Sequence, residues 1–163
     1  MNKNIIIIII GVLMIGVSAS FLIFDKDTLK CSQNLTDTLD IINEDISSGS
    51  DVTLTYSDGK IKKSVINIYM TYDDEEQWNE FVTEWDNNQN LISTLFGTKD
   101  EPGFKKEVEL NKKKKYVVLT ETIVFDKATT KVKEENDLDR RYEDVKTKEI
   151  AKENYEKVGF VCK

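Results

Sequence analysis

Residues 52–72 read VTLTYSDGKIKKSVINIYMTY, and this stretch decides the fold. Asp58-Gly59 lies between two β-prone runs. That is the signal for a two-residue type I′ hairpin, whose central residues both need positive φ. The expected register sets Tyr56 opposite Ile61, Leu54 opposite Lys63 and Val52 opposite Val65, all on one mostly apolar face. Beyond Val65 the apolar residues change phase to Ile66, Ile68, Met70 and Tyr72. A phase change implies a bulge, or burial of both faces.

On the C-terminal side, Asp73-Asp74-Glu75-Glu76 opens a helix, with Asp73 as the expected cap and acids suited to the positive end of the helix dipole. Trp78, Phe81, Val82 and Trp85 follow the spacing of a buried helical stripe. Leu91, Ile92, Leu95 and Phe96 resume it, Gly97 ends it, and Pro102-Gly103 marks a loop. A second hairpin is expected from Phe104 to Leu110 and from Tyr116 to Phe125, with its tip at 111–115. Tyr116-Val-Val-Leu119 and Ile123-Val-Phe125 read as a central strand. The charged segment Ala128–Glu143 shows no clear period. Thr147 caps a last helix carrying Ile150, Ala151, Tyr155 and Val158, with Gly159 as a left-handed stop and Phe160 packing back on Tyr155.

On the N-terminal side, Leu35, Leu39, Ile42 and Ile46 have helical spacing, but the many Thr, Asp and Asn residues leave strand or irregular structure open. Further back, Ile5–Phe24 is an uncharged apolar run long enough to cross a bilayer as a helix. Lys3 precedes it and Asp25-Lys26-Asp27 follows, which orients the amino end to the cytoplasm and the remainder outward. An uncleaved signal anchor fits this length. Val17-Ser18-Ala19 also has the small-residue pattern of a cleavage site, and cleavage near Ala19 gives a secreted protein. Lys30 before Cys31 is not a lipidation signal. The expected organisation is therefore a transmembrane signal anchor at 1–24, a short linker at 25–30 and an extracytoplasmic domain at 31–163. Its expected class is α+β: a transmembrane helix, then an antiparallel sheet of two hairpins with helices packed on one face.

Charge and cysteines bound the partners. After Phe24 there are 22 basic residues (23 less Lys3) against 30 acidic ones, a net −8, which argues against nucleic acid. Abundant Ile, Lys and Asn, with arginine only at Arg140 and Arg141, suggest an AT-rich bacterial genome. The two cysteines, Cys31 and Cys162, bracket almost the whole outer region. An even count in an exported protein predicts a disulfide between them, which makes the first and last elements of the domain neighbours.

Histidine is absent, which removes Ser-His-Asp and Cys-His nucleophilic sites and the usual zinc ligand sets. There is no glycine-rich phosphate loop. No residue is assigned as catalytic, cofactor-binding or metal-binding. Lys112, Lys113, Lys114 and Lys115 form a possible surface contact for anionic headgroups or wall polymers, against the plainer reading of a solvated hairpin tip. Asp73–Glu76 as a calcium site, Trp78 with Trp85 as a stacking surface, and Tyr69, Met70 and Tyr72 as a pocket each compete with a structural role.

Three stretches resemble the YehR-like family of small bacterial lipoproteins and their membrane-anchored relatives. They are Lys30-Cys31, the hairpin Thr53-Leu-Thr-Tyr-Ser-Asp-Gly-Lys-Ile-Lys-Lys63, and the terminal Tyr155-Glu-Lys-Val-Gly-Phe-Val-Cys-Lys163. The resemblance implies a compact extracytoplasmic α+β domain of undefined activity; the missing lipobox departs from the lipoprotein pattern. The function expected is binding or structural contact at the cell envelope. Its partners are the bilayer, through residues 5–24, and a protein or anionic envelope polymer. A carboxylate-based enzyme and an inhibitor or immunity-type protein are the alternatives.

Overall fold

A computed structural model describes residues 27–34 and 46–163. The expected anchor at 1–24 lies outside the described residues, as does the helically spaced segment 35–46 apart from Ile46, which opens a strand and not a helix. Among the described residues the order is β1 (Thr28–Asn34), β2 (Ile46–Ser57), β3 (Lys60–Tyr72), α1 (Glu75–Asn87), α2 (Gln89–Phe96), β4 (Lys99–Glu101), β5 (Phe104–Asn111), β6 (Tyr116–Val124), α3 (Thr130–Glu135), α4 (Leu138–Val145), α5 (Lys148–Lys157) and β7 (Val161–Cys162).

These strands correct the expected architecture. Instead of a two-hairpin sheet behind a transmembrane helix, they form one seven-stranded sheet ordered β4-β5-β6-β3-β2-β1-β7. Every adjacent pair is antiparallel. Among the described residues no helix is long and apolar enough to cross a membrane. Three strands escaped the periodicity for physical reasons. β1 is the polar TLKCSQN, β4 is three residues and β7 is two, too short or too polar to show a period of two.

The Asp58-Gly59 turn has both φ values positive, 53° and 72°, as a type I′ turn requires. Tyr56 pairs with Ile61 as expected, but the register then shifts between Thr55 and Tyr56. Lys62 is the extra residue, so Leu54 meets Ser64 and Val52 meets Ile66. The bulge therefore sits beside the turn, three residues before the expected phase change. It lets Ile61, Ser64, Ile66, Ile68 and Met70 all reach the buried side.

That side is one continuous core. Val52 and Leu54 from β2, Ile66, Ile68 and Met70 from β3, and Val117, Leu119 and Ile123 from β6 join Trp78, Phe81, Leu138, Val145 and Ala151 from the helices. Each fully buried aliphatic side chain contributes about 1.5–3 kcal/mol. The cap of α1 is Asp74, not Asp73: Asp74 accepts from the Gln77 amide at 2.8 Å, while Asp73 accepts from the Ser47 hydroxyl at 2.7 Å. Gly97 (φ 59°) ends α2, and Thr147 caps α5. Gly159 (φ 94°) stops α5 and turns Phe160 onto Tyr155, ring centroids 5.1 Å apart. Within the charged 128–143 segment the buried residues are Val132 of α3 and Leu138 of α4, spaced too widely to read as a stripe.

Candidate functional site

The disulfide expected between Cys31 and Cys162 is present. The two residues pair directly across β1 and β7. Beside them Lys30 and Lys163 exchange both backbone hydrogen bonds, at 3.1 and 2.8 Å. Leu29 and Cys31 face the core, so the bridge is buried at that edge of the sheet.

The opposite edge is built differently. β4 pairs with β5 only through Lys99–Lys106, Asp100–Lys105 and Glu101–Phe104. Gly103 and Val124 share a ladder bond, Val124 N to Gly103 O at 2.8 Å. With the β5–β6 register this directs the odd-numbered residues of β5 inward to β6. The even-numbered residues then present N–H and C=O outward. β4 takes up those of Phe104 and Lys106. Those of Val108 and Leu110 lie past the end of β4 and have no backbone partner among the described residues.

Beside that stretch runs a groove of about 480 Å³. Its walls are the side chains of Val108 and Leu110, Ile92 and Ser93 of α2, Trp85 at the end of α1, and Thr98. At one end Lys112 donates to both carboxylate oxygens of Asp86, at 2.6 and 2.8 Å. Glu109 is exposed on the other side of β5 and, among the described residues, forms no ion pair; Glu107 is paired with Lys105 at 2.5 Å. A larger depression of about 640 Å³ has, among the described residues, only the outer polar face of α1 as its wall.

The face of the sheet opposite the described helices carries a polar chain from β6 to β3. Thr120 donates to Asn67 at 2.8 Å, and Asn67 donates to the Tyr69 hydroxyl at 3.0 Å. Burial and then the adjacent Asp51 carboxylate push the Tyr69 hydroxyl up to about 12. Tyr116 meets Tyr69 edge to face at 6.0 Å. A satisfied network of this kind stiffens the sheet.

The structure separates the remaining residues of interest. Lys112 and Lys115 fold back on α1 through Asp86 and Glu75, while Lys113 and Lys114 stay exposed at the tip. Trp78 is core, 3 % exposed, whereas Trp85 is half-buried and walls the groove. Met70 and Tyr72 face the core and Tyr69 the opposite side, so the three share no pocket. Among the described residues no group of three or more His, Cys, Asp or Glu side chains could hold a metal ion. The open stretch of β5 was not anticipated. Its signal is the crowding of Gly97 and Pro102-Gly103, which leaves room for only a stub of strand between them.

No family model and no curated protein matches the chain. Among solved structures, it is similar to an NMR structure of a protein from Streptococcus pneumoniae TIGR4. The two share 16% identity over 90% of this chain and 93% of that one, with a TM-score of 0.46. At that level the likeness carries no argument about this chain.

Proposed function

We propose that this chain is an extracytoplasmic binding domain of the cell envelope, held at the membrane by its apolar segment 5–24 and taking a protein partner in the groove beside β5. The observation that carries this reading is the half-buried Trp85 facing Val108 and Leu110 across an open hollow. Aromatic side chains of this kind are the usual anchors of binding surfaces. The disulfide supports an oxidising compartment, since such bridges are rare in the cytoplasm. The resemblance to YehR-like proteins agrees with that location. A protein fits better than an anionic polymer, because Lys112 and Lys115 are already neutralised by α1 carboxylates.

The test uses the full chain in intact cells, with a photo-crosslinking amino acid at position 92 or, as control, at position 153 on the exposed side of α5. A discrete protein adduct is expected at 92 and not at 153, and Trp85→Ala removes it. Identical adduct patterns at both positions contradict the reading. So does a 31–163 region that protease outside the cell never reaches.

A further inference from the structure

We infer that β5 accepts an extended peptide as an eighth strand, paired antiparallel beside Val108 and Leu110. This rests on the reading of the groove as a binding surface and names the class of partner it takes.

A sheet edge with free N–H and C=O groups is a template for another strand, and proteins that must avoid this blunt the edge with lysine, proline or bulges. Here those devices stop early. Lys99, Pro102, Lys105 and Lys106 all belong to the β4–β5 hairpin. The stretch Glu107–Asn111 has no lysine, no proline and an unbroken register with β6. Val108 and Leu110 each present a donor and an acceptor outward, spaced as an incoming antiparallel strand requires.

The side chains along this edge fix what the peptide carries. Residues directly opposite Val108 and Leu110 point to the same side as these two, into the groove walled by Trp85 and Ile92. They are apolar and of modest size. The residue between them lies opposite Glu109, whose carboxylate forms no ion pair among the described residues, so a basic residue belongs there. The partner is thus an extended segment alternating apolar and basic residues. A second copy of this chain fits poorly: two antiparallel β5 edges bring Glu107 and Glu109 against each other, and like charges directly opposite are destabilising.

The test titrates full-length protein in detergent micelles with three end-blocked hexapeptides and follows amide exchange by residue. The probes alternate valine with lysine, the same peptide N-methylated at its valines, and valine with glutamate. The valine–lysine peptide is expected to slow exchange at Val108 and Leu110 by at least about tenfold. N-methylation abolishes binding, and the glutamate peptide binds at least about tenfold more weakly. Glu109→Lys, on an exposed position, reverses the preference between lysine and glutamate peptides. If the peptide binds while the Val108 and Leu110 amides are unmoved, strand addition is wrong and the binding groove stands. If no peptide binds while the position-92 adduct persists, strand addition again fails alone. Protection of the same amides that rises with protein concentration, without peptide, assigns the edge to a second copy and overturns the peptide assignment.

Discussion

Where the sheet ends at β7, a strand of two residues is fixed by the Lys30–Lys163 ladder pair and by the Cys31–Cys162 bridge; where it ends at β5, a strand of eight is covered for only its first three residues. The difference is energetic. A ladder hydrogen bond contributes about 1 kcal/mol net, while ordering a residue's backbone costs about 1–2 kcal/mol. The Lys30–Lys163 and Ser32–Val161 pairs therefore do little more than offset the ordering of so short a strand, and the covalent bridge supplies the margin. β5 needs no such device, because β6 satisfies one side of it and Val108 and Leu110 pack their side chains beneath the helices. One edge is held by a covalent bridge; the other is stable while half unpaired.

The comparison breaks first at the bridge. Cys31→Ser with Cys162→Ser, or reduction, should cost about 4–5 kcal/mol, since the cysteines are 131 residues apart in sequence. Denaturant unfolding with and without reductant measures this. A loss below about 1 kcal/mol means that β7 is held by pairing alone.

The next largest effect lies at the open edge, in the turn joining β4 to β5. Gly103 has φ 78°, and a Cβ there falls 2.3 Å from the backbone nitrogen of Ala128. Gly103→Ala should destabilise by about 2–3 kcal/mol, seen as a lower midpoint in urea. An unchanged midpoint shows that β4 is dispensable and that the edge is open along all of β5.

Tyr56 gives the smallest of the three. Its hydroxyl donates to Val145 O at 3.0 Å and lies 3.3 Å from Thr147 O, pinning the α4–α5 junction beside the closed edge. Tyr56→Phe should cost about 1–2 kcal/mol. It should also flatten the pH dependence above pH 10. Burial raises the native hydroxyl well above its ordinary value, so the unfolded chain releases a proton that the folded one keeps, and stability falls as pH rises. A variant with the same alkaline slope as the parent shows that the hydroxyl is not sequestered.

This contrast between edges also marks what was legible beforehand. The interior of the sheet was readable, because Asp58-Gly59 dictates its turn and the apolar runs at 61–72 and 116–125 bury enough surface to fix their strands. The pairing of Cys31 with Cys162 was readable from count and position. The edges were not. β1 is strand because β2 offers it a ladder, not because TLKCSQN demands it; β4 and β7 are shorter than any period. The groove inherits that limit, since Val108 and Leu110 become a site only through where β4 stops. Trp85 was visible as a candidate, but its separation from Trp78 depended on α1 ending at Asn87 beside β5.

Residue-resolved amide exchange on the full chain without added peptide tests the asymmetry of the two edges directly. The account predicts slow exchange at Lys30 and Lys163 and at Glu107 and Glu109, which bond to neighbouring strands, and exchange at least about tenfold faster at Val108 and Leu110. Val108 and Leu110 amides as protected as those of Glu107 and Glu109 would contradict it, because the edge would then already be filled.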